Sequence, residues 1–507
     1  MGALGWFKGE RGYVRLAVLV ILAGALLRFG LAALSHPSGD GCFHLSAARF
    51  IAEHGRIPFQ DPFGDGREVF WAPPLFHLVA AAVYGVVSTS SVRAAEFAMK
   101  LVSPLFGVLT LPFIFLTVKK LFRSAKLAFL ASFFVTFLPL HVYASTVSFV
   151  DSFATFFTTS AIYFVLDKKL LLAAILAGLS LSAKQNALFI LPVFFVALFF
   201  TYRAGLSSFV KKALASALAI ATVGCPWFIR NFLLLGNPFW PFLYKVFGGT
   251  IAPKAVESNF SFNYLLSPGV HSIQFYLEFF GVPSGSIAAL SFVQLPFMNA
   301  LLLAWFGATL LFFVPLIVGF FVKRNSHRVF LFAWLLSFFA MLLLYVMNLN
   351  MAFARLALPA IPAIAIFWAL GFEKIAGYLG RFRLGGLGLS SLFVVIIVGC
   401  AAGFAVAEVV KTQVAANAWG AYEPDFQWIR EHTPRDALVG YRGQCLSYNI
   451  DRLSNYDLRK VNYAWVNQNF RLEPISIVQP FYVQELEQNF QLVYDNPATG
   501  TKFYKRK

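Results

Sequence analysis

The sequence predicts an all-α polytopic membrane protein of about eleven transmembrane helices, followed by a small extracytoplasmic α/β domain. Hydrophobic residues make up 59% of the 507 residues and charged residues only 13%, and the mean hydropathy is +0.70. Apolar segments recur along most of the chain, with roughly the 17 to 25 residues that a hydrocarbon core about 30 Å thick requires. This composition excludes a soluble domain as the main part of the protein.

The net charge of +18 indicates membrane topology rather than a nucleic-acid partner. The basic residues cluster in short loops between apolar segments, and such loops usually face the cytoplasm. The clusters run from Lys8 to Arg15, Lys119 to Lys126, Lys168 to Lys169, Arg203 to Lys212, Lys323 to Arg328 and Lys374 to Arg383. If all of these clusters are cytoplasmic, the apolar segments between them come in pairs. The N-terminus is then predicted on the cytoplasmic side of the cell membrane and the C-terminus on the outer side.

The predicted spans cover residues 14–34, 98–118, 127–144, 149–166, 170–183, 187–202, 213–233, 298–322, 329–347, 356–372 and 387–409. The first span is predicted to be retained, because it is too long for a signal peptide and lacks a small-residue cleavage site. Apolar residues 287–297 are predicted to be interfacial or re-entrant, because a further full span would put a basic loop on the wrong side.

The chain divides into a transmembrane domain over residues 1–409 and an extracytoplasmic domain over 410–507. Within the first, two long outer loops are predicted: 35–97, with interfacial helices, and 234–297. In the second, PDFQWIREHTPRDALVG has the pattern of a helix, a proline turn and a short strand.

Polar residues gather on the predicted outer side, and the first outer loop begins with Asp40 and His44. On a helix these two residues share one face. The residues around them, with Gly55 as a plausible stop, predict an amphipathic helix that lies on the outer membrane surface with its apolar face toward lipid. Asp40 is alternatively a helix N-cap, and His44 alternatively a structural residue.

Three more acids, Asp61, Asp65 and Glu68, follow in the same loop. The Asp-Pro sequence favours a turn as the role of Asp61. No metal-ligand spacing accompanies His44, and the four cysteines, Cys42, Cys225, Cys400 and Cys445, show no CxxC or metal spacing. The residues therefore support no zinc site and no conclusion about redox chemistry.

Three cations at the outer ends of spans are candidates for binding an anion such as a lipid-linked phosphate. Lys184 lies in SLSAKQNALF between two short apolar segments, and Arg355 lies in NMAFARLALPAIPA. Each could instead extend its charge to the membrane interface. The interfacial alternative is stronger for Arg230, which is surrounded by Trp and Phe residues.

Taken in order, several segments resemble the GT-C superfamily of polytopic glycosyltransferases. They are close to the dolichyl-phosphate-mannose protein mannosyltransferases and their aminoarabinose-transferring relatives, and the chain thus resembles glycosyltransferase family 39. The likeness is carried over roughly the first 370 residues by the early acid of loop one, by WAPPLFHLVAAAVYG and by the segments FAMKLVSPLFGVLTLPFIFLTVKKLF, YASTVSFVDSFATFFTTSAIYFVL, LAGLSLSAKQNALFILP, PWFIRNFLLLGNPFWP and ARLALPAIPAIAI. WIREHTPRDALV is similar to the small outer domain of prokaryotic members.

The resemblance implies transfer of a hexosyl or pentosyl group from a polyprenyl-phosphate donor to a protein, lipid or glycan acceptor on the outer face. Asp40 matches the acidic residue that serves as general base or supports a divalent metal. Lys184 and Arg355 match basic positions that neutralise the leaving phosphate, with Arg230 a weaker candidate.

One departure concerns the second acid of the site. Relatives often carry Asp-Glu where this chain has Asp40 and Gly41, so a second acid would come from Asp61, Asp65 or Glu68, and His44 is a further candidate for acceptor binding.

Three other functions stay open at this stage. An oligosaccharyltransferase is the lesser hypothesis, because the tail has no W-W-D-Y-G element. A lipid or sugar transporter is also disfavoured, because no repeated halves stand out and the charges gather at one face. A catalytically inactive protein of the same architecture is compatible with the sequence.

Overall fold

The computed structural model describes residues 9–37, 39–63, 69–202, 205–252, 279, 296–322, 327–349, 354–384, 387–441, 444–455, 457–467, 472 and 480–507. The helices are α1 (Gly9–Leu34), α2 (Asp40–His54), α3 (Leu75–Ser88), α4 (Val92–Lys100), α5 (Val102–Phe122), α6 (Ala125–Phe137), α7 (Pro139–Thr146), α8 (Val150–Leu166), α9 (Leu170–Ala183), α10 (Ile190–Tyr202), α11 (Leu206–Gly224), α12 (Pro226–Leu235), α13 (Tyr244–Phe247), α14 (Pro296–Phe321), α15 (Arg328–Leu349), α16 (Ile361–Leu379), α17 (Leu389–Gly420), α18 (Glu423–His432), α19 (Gln444–Ile450) and α20 (Pro480–Asn489). Short 3₁₀ helices cover Gln185–Phe189, Ala354–Ala360 and Leu458–Lys460.

The strands are β1 (Arg383–Leu384), β2 (Leu387–Gly388), β3 (Leu438–Gly440), β4 (Leu453–Asn455), β5 (Tyr463–Asn467), β6 (Phe490–Asn496) and β7 (Thr501–Arg506). The first two pair with each other, whereas the other five form one sheet in the order β4-β3-β5-β7-β6. Strand β3 runs parallel to β4 and β5, whereas β7 runs antiparallel to β5 and β6. Helices and a mixed sheet thus confirm the predicted small C-terminal α/β domain.

The helical part is that of a multi-pass membrane protein. In the described residues, seven helices are long and apolar enough to cross a membrane, or eight if the bent pair α6 and α7 counts as one span. Four further apolar helical segments are shorter, and three of them, α8, α9 and Gly307–Phe321 of α14, coincide with predicted spans. Each predicted span overlaps a helix, while the total of about eleven stays a prediction.

A buried arginine supports the break between α6 and α7, which are bent by 57°. Pro139 begins α7, and a proline has no N–H to continue the preceding helix. Arg28 of α1 donates instead to the carbonyl oxygens of Val135 and Thr136 at 3.2 and 3.0 Å, and its Nη2 lies 2.7 Å from Nδ1 of His141. The arginine thus satisfies backbone oxygens near the break, which a bilayer interior would leave without partners.

Helix α2 differs from the surface helix that the sequence predicted. It ends at Gly55 as expected, with this residue in the left-handed conformation at a φ of 65°. However, every residue from Gly41 to Ile51 is buried, because α3 packs on one side and α19 of the C-terminal domain on another. The apolar side of α2 therefore lies against protein rather than lipid.

Covalent and polar contacts hold the C-terminal domain on α2. A disulfide joins Cys42 to Cys445 across a sequence separation of 403 residues. Farther along α2, the buried Arg49 contacts Asp451 of the domain at 2.8 Å and Glu96 of α4 at 3.1 Å. Helix α17 crosses the predicted boundary at residue 409 without interruption. Of the predicted outer loop 234–297, residues 253–278 and 280–295 lie outside the described residues, as does most of the predicted interfacial stretch 287–297.

Candidate active site

Two ion pairs lie close together at the start of α2. Arg355 Nη2 donates to Asp40 Oδ2 at 2.5 Å, and Lys184 Nζ donates to Asp151 Oδ1 at 2.5 Å. The two pairs also interact electrostatically, because the Lys184 ammonium is close enough to be attracted by Asp40 and repelled by Arg355. We call these four residues the charge quartet; it carries two positive and two negative charges.

The members of the quartet lie where α-helices begin or are interrupted. Asp40 is the first residue of α2, and Asp151 lies in the first turn of α8. Lys184 is extended between α9 and the following 3₁₀ helix, and Arg355 belongs to the 3₁₀ helix that precedes α16. Irregular backbone of this kind at membrane depth is stable only where protein or a cavity surrounds it.

The quartet is shielded from solvent to different degrees. The side chain of Asp151 is 3% exposed and that of Lys184 17%, whereas Arg355 and Asp40 are 20% and 29% exposed. The Lys184–Asp151 pair is therefore the deeper of the two. The Arg355–Asp40 pair is the more accessible to a ligand.

Asp40 is held in its ionised form. Burial alone would raise the pKa of its carboxyl, but the guanidinium of Arg355 beside it holds this pKa well below its usual range. The alternative role of Asp40 as an N-cap does not hold in this structure, since Gly39 occupies the cap position and no side chain caps the helix.

Two further residues complete the surroundings of this pair. The Arg355 guanidinium lies over the ring of Phe149, 4.5 Å from its centroid, which adds a cation–π contact. Gln444 Nε2 of the C-terminal domain donates to Asp40 Oδ1 at 3.5 Å. The C-terminal domain therefore contributes to the site itself.

The small residue after Asp40 has a steric explanation. A Cβ atom at Gly41 would lie 2.0 Å from the carbonyl oxygen of Val147, in the connection between α7 and α8. A glutamate in this position, as in the Asp-Glu pair of related sequences, would collide with that backbone. The second acid of the quartet is instead Asp151, from a different helix.

His44 belongs to a neutral histidine pair. Its Nδ1 lies 2.9 Å from Nε2 of His77, and both residues are buried. Burial lowers the pKa of His77 to about 3. Burial, together with His77, places the pKa of His44 well below its ordinary value. His44 therefore packs beside the quartet as an uncharged group.

Two of the remaining predicted site residues have local contacts of their own. Arg230 donates to Asn231 Oδ1 at 2.8 Å and lies over the Trp227 ring at 4.4 Å, as expected for an interfacial residue. Asp61 Oδ1 accepts from the N–H of Phe63 at 2.9 Å, the geometry of the expected turn. Asp65 and Glu68 lie outside the described residues.

The donor set around Asp40 does not fit a metal ion. Its two oxygens face Arg355 and Gln444, and Lys184 adds positive charge nearby. Within the part of the chain that the structure describes, no group of three or more His, Cys, Asp or Glu could hold a metal. We therefore derive no step through a metal.

Asp151 and Gln444 were not among the residues predicted to form the site. A signal existed for Asp151, because a carboxylate in the first turn of an apolar span is costly unless it is paired. Gln444 carries no such signal, because only the folding of a distant domain brings it to Asp40.

Comparison with known proteins places this site on a known fold. The sequence profile of the dolichyl-phosphate-mannose-protein mannosyltransferase family matches residues 85–247. A search of curated proteins finds no match. Among solved structures, ArnT from Cupriavidus metallidurans bound to undecaprenyl phosphate superposes with a TM-score of 0.61 at 14% identity, covering 99% of this chain and 98% of ArnT.

Two other solved structures are similar. The Archaeoglobus fulgidus oligosaccharyltransferase, tethered to an acceptor peptide with the NVT sequon, gives a TM-score of 0.59 at 14% identity and covers 99% of this chain and 75% of that one. The arabinofuranosyltransferase AftD from Mycobacteria gives a TM-score of 0.53 at 11% sequence identity, and the match covers 97% of this chain and 40% of AftD. These proteins are GT-C glycosyltransferases, and the chain has their fold.

Proposed function

We propose that this membrane protein is a glycosyltransferase that moves a sugar from a polyprenyl-phosphate-linked donor to an acceptor on the outer face of the membrane. The observation that carries the proposal is the charge quartet: a carboxylate and two cations converge on the GT-C fold. One similar structure, ArnT, holds undecaprenyl phosphate. This supports a lipid phosphate as the group that the cations bind.

In the proposed reaction, the acceptor oxygen attacks the anomeric carbon of the donor. Asp40 takes the proton of the acceptor hydroxyl, and the bond between the anomeric carbon and the phosphate oxygen breaks. The polyprenyl phosphate leaves with the bonding electrons. Lys184 and Arg355 then stabilise its added negative charge, an effect that is strong in a site shielded from water.

The ion pair between Arg355 and Asp40 suggests how donor binding prepares the base. With its pKa depressed, the Asp40 carboxylate is a weak base. A donor phosphate that attracts Arg355 would loosen this ion pair. The pKa of Asp40 would then rise, so that the base becomes stronger only when the donor is present.

The disulfide supports the proposed orientation of the C-terminal domain. Disulfides persist in oxidising compartments and are rare in the cytosol, and Cys42–Cys445 joins the first outer loop to this domain. Both would then lie on the outer face of the cell membrane, with the N-terminus in the cytoplasm. The acceptor, whether protein, lipid or glycan, approaches from the same side.

Transfer from defined donors tests the proposal. Purified protein in lipid nanodiscs is given radiolabelled polyprenyl-phosphate hexoses and pentoses together with an extract of outer-face acceptors. The wild-type chain should form labelled product with at least one donor. Asp40→Asn should lower the rate about 10²- to 10⁴-fold, the usual contribution of a general base.

A matched control separates loss of chemistry from loss of folding. Asp495→Asn makes the same change in an acid of the C-terminal domain that is 41% exposed, and it should keep full activity. Wild-type activity in Asp40→Asn would exclude Asp40 as the base. Lipid-sugar movement across vesicles without any glycosylated product would identify a transporter instead.

A further inference from the structure

A cavity of about 360 Å³ lies between α2 and the C-terminal domain. Its walls come from α2, the turn at Phe63, the residues before β3, and α19 with the turn that follows it. The volume is within the usual range of small-ligand sites, about 300–1,000 Å³. Neither the proposed reaction nor the charge quartet uses this cavity.

The cavity lies away from Asp40 on the same helix. Ser46 and Arg49 line it, and at about 100° per residue these positions are rotated roughly 120° and 180° from Asp40 around the helix axis. Ser46 is 4% exposed, and its hydroxyl has no hydrogen-bond partner among the described residues. The cavity is therefore a separate location rather than an extension of the quartet.

Two guanidinium groups at the cavity have no carboxylate partner among the described residues. Arg452 is 5% exposed and donates only to neutral groups, the hydroxyl and carbonyl of Thr433 and the carbonyls of Arg430 and Asp451. Arg435 is exposed and forms no ion pair within that set. Buried arginines are normally paired with an anion, so this end of the cavity can accept one.

The carboxylates at the cavity are partly committed elsewhere. Asp451 pairs with Arg49 at 2.8 Å, and Glu53 accepts a hydrogen bond from Tyr84 at 3.2 Å. Asp436 is exposed at the rim. The spare lone pairs of these groups can accept hydrogen bonds from hydroxyls, while Arg435 and Arg452 form no ion pair with them among the described residues.

One wall is aromatic. The rings of Phe50 and His54 stack at a centroid distance of 4.1 Å with an interplanar angle of 15°, and both line the cavity. The outer face of this stack suits the apolar C–H face of a sugar ring. Hydroxyl acceptors, an aromatic wall and guanidinium groups without a carboxylate partner are together the features that recognise a sugar carrying a negative charge.

We propose that this cavity binds an anionic saccharide, a sugar ring bearing a carboxylate or phosphate. The ring packs against Phe50 and His54, its hydroxyls donate to Glu53 and Asp436, and its anionic group binds Arg435 and Arg452. The proposal does not depend on the transfer reaction, because binding at this location needs neither donor nor Asp40.

Direct binding to the full chain in nanodiscs tests the proposal. Glucuronic acid and glucose 6-phosphate are titrated by calorimetry beside two partial ligands, glucose and inorganic phosphate. At least one anionic saccharide should bind at least tenfold more tightly than either partial ligand. Equal binding of inorganic phosphate would show a simple anion site, and binding of none of the four probes would overturn the proposal.

Variants locate the site and separate its parts. Arg435→Ala should weaken binding of the anionic saccharide at least tenfold. Arg459→Ala, which removes an arginine of the same domain that is 82% exposed, should leave this affinity unchanged. His54→Ala should weaken binding of the saccharide but leave the affinity for inorganic phosphate unchanged. Asp40→Asn should bind as the wild type does, so failure of the transfer proposal leaves this test intact. Unchanged binding in Arg435→Ala would refute the location.

Discussion

The ionisation of Asp40 depends on its neighbours. Its position at the beginning of α2 follows from the sequence, but its chemistry depends on Arg355, which lies 315 positions later in the chain. Burial opposes the negative charge, and the guanidinium outweighs burial, so the carboxyl stays ionised. A depressed pKa means that ionisation is lost only when the pH falls through that low value.

The pH dependence of kcat/KM tests this arrangement, because kcat/KM reports the pKa values of the free enzyme. We expect no loss of kcat/KM from protonation of Asp40 between pH 7 and about 4, the ordinary value for aspartate. In Arg355→Gln, burial still raises the pKa of Asp40 but the guanidinium no longer lowers it. The acid limb of the residual kcat/KM profile should therefore move to higher pH. A wild-type acid limb near pH 6 that disappears in Asp40→Glu would contradict the pairing.

Lys184 and Asp151 form the deeper pair, and each depends on the other for stability. Lys184→Met would leave the Asp151 carboxylate, 3% exposed, without its nearest cation. Removing one partner of a buried pair costs about 3–5 kcal/mol, so the free energy of unfolding should fall markedly. Thermal or denaturant unfolding in detergent measures the change.

A double variant separates stability from donor binding. Lys184→Met with Asp151→Asn removes both charges and should regain most of the lost stability, while donor use stays impaired because the phosphate has lost a cation. Recovery of donor kinetics together with stability would show that Lys184 is structural only.

At the level of secondary structure, the close approach of α2 to the α7–α8 connection depends on Gly41. Its missing side chain lets the helix approach the Val147 carbonyl, which a Cβ would meet at 2.0 Å. Gly41→Ala should therefore displace the start of α2 and with it Asp40. The expected cost is about 1–3 kcal/mol, accompanied by a loss of transfer activity.

Gly85→Ala is the matched control for this substitution. Gly85 lies in α3, and a Cβ there meets nothing within 4 Å. Alanine is also the better helix former, so stability should stay the same or rise. If Gly41→Ala keeps wild-type activity and stability, the backbone contact has no role in positioning Asp40.

In the whole molecule, a disulfide keeps the C-terminal domain on α2 next to the candidate site. Cys42 follows Asp40 by two positions, and Cys445 follows Gln444, which contacts Asp40. Cys42→Ser with Cys445→Ser should lower stability by about 2–4 kcal/mol and reduce transfer, because the domain can then separate from α2. Thermal unfolding and transfer assays measure both effects.

The other two cysteines provide the control. Cys225 and Cys400 are free in this structure, so Cys225→Ser with Cys400→Ser should keep activity and retain sensitivity to a reductant. The pair Cys42→Ser and Cys445→Ser should lose that sensitivity. Full activity of the latter variant would show that noncovalent contacts, such as Arg49 with Asp451, suffice to dock the domain.

The residue pattern was sufficient to predict the membrane fold and the C-terminal α/β domain, because hydropathy and the turns marked by proline and glycine are local properties of the chain. It also indicated Asp40, Lys184 and Arg355 as unusual, since charges next to apolar spans are costly without partners. What it could not predict is which residues pair. The alternatives of capping and interfacial extension are equally compatible with residue type.

Only the tertiary structure decided the partners: Asp40 with Arg355, Lys184 with Asp151, and Cys42 with Cys445. It also showed that α2 is enclosed by protein, whereas its amphipathic pattern had predicted a lipid-facing helix. The physical reason is that an apolar helix face does not specify whether lipid or protein covers it, and an ion pair between distant segments leaves no periodic trace in the chain. The sequence alone determined that charges must be sheltered at one face of a membrane protein, and the packing of α2, α8, α19 and the 3₁₀ helix Ala354–Ala360 decided how.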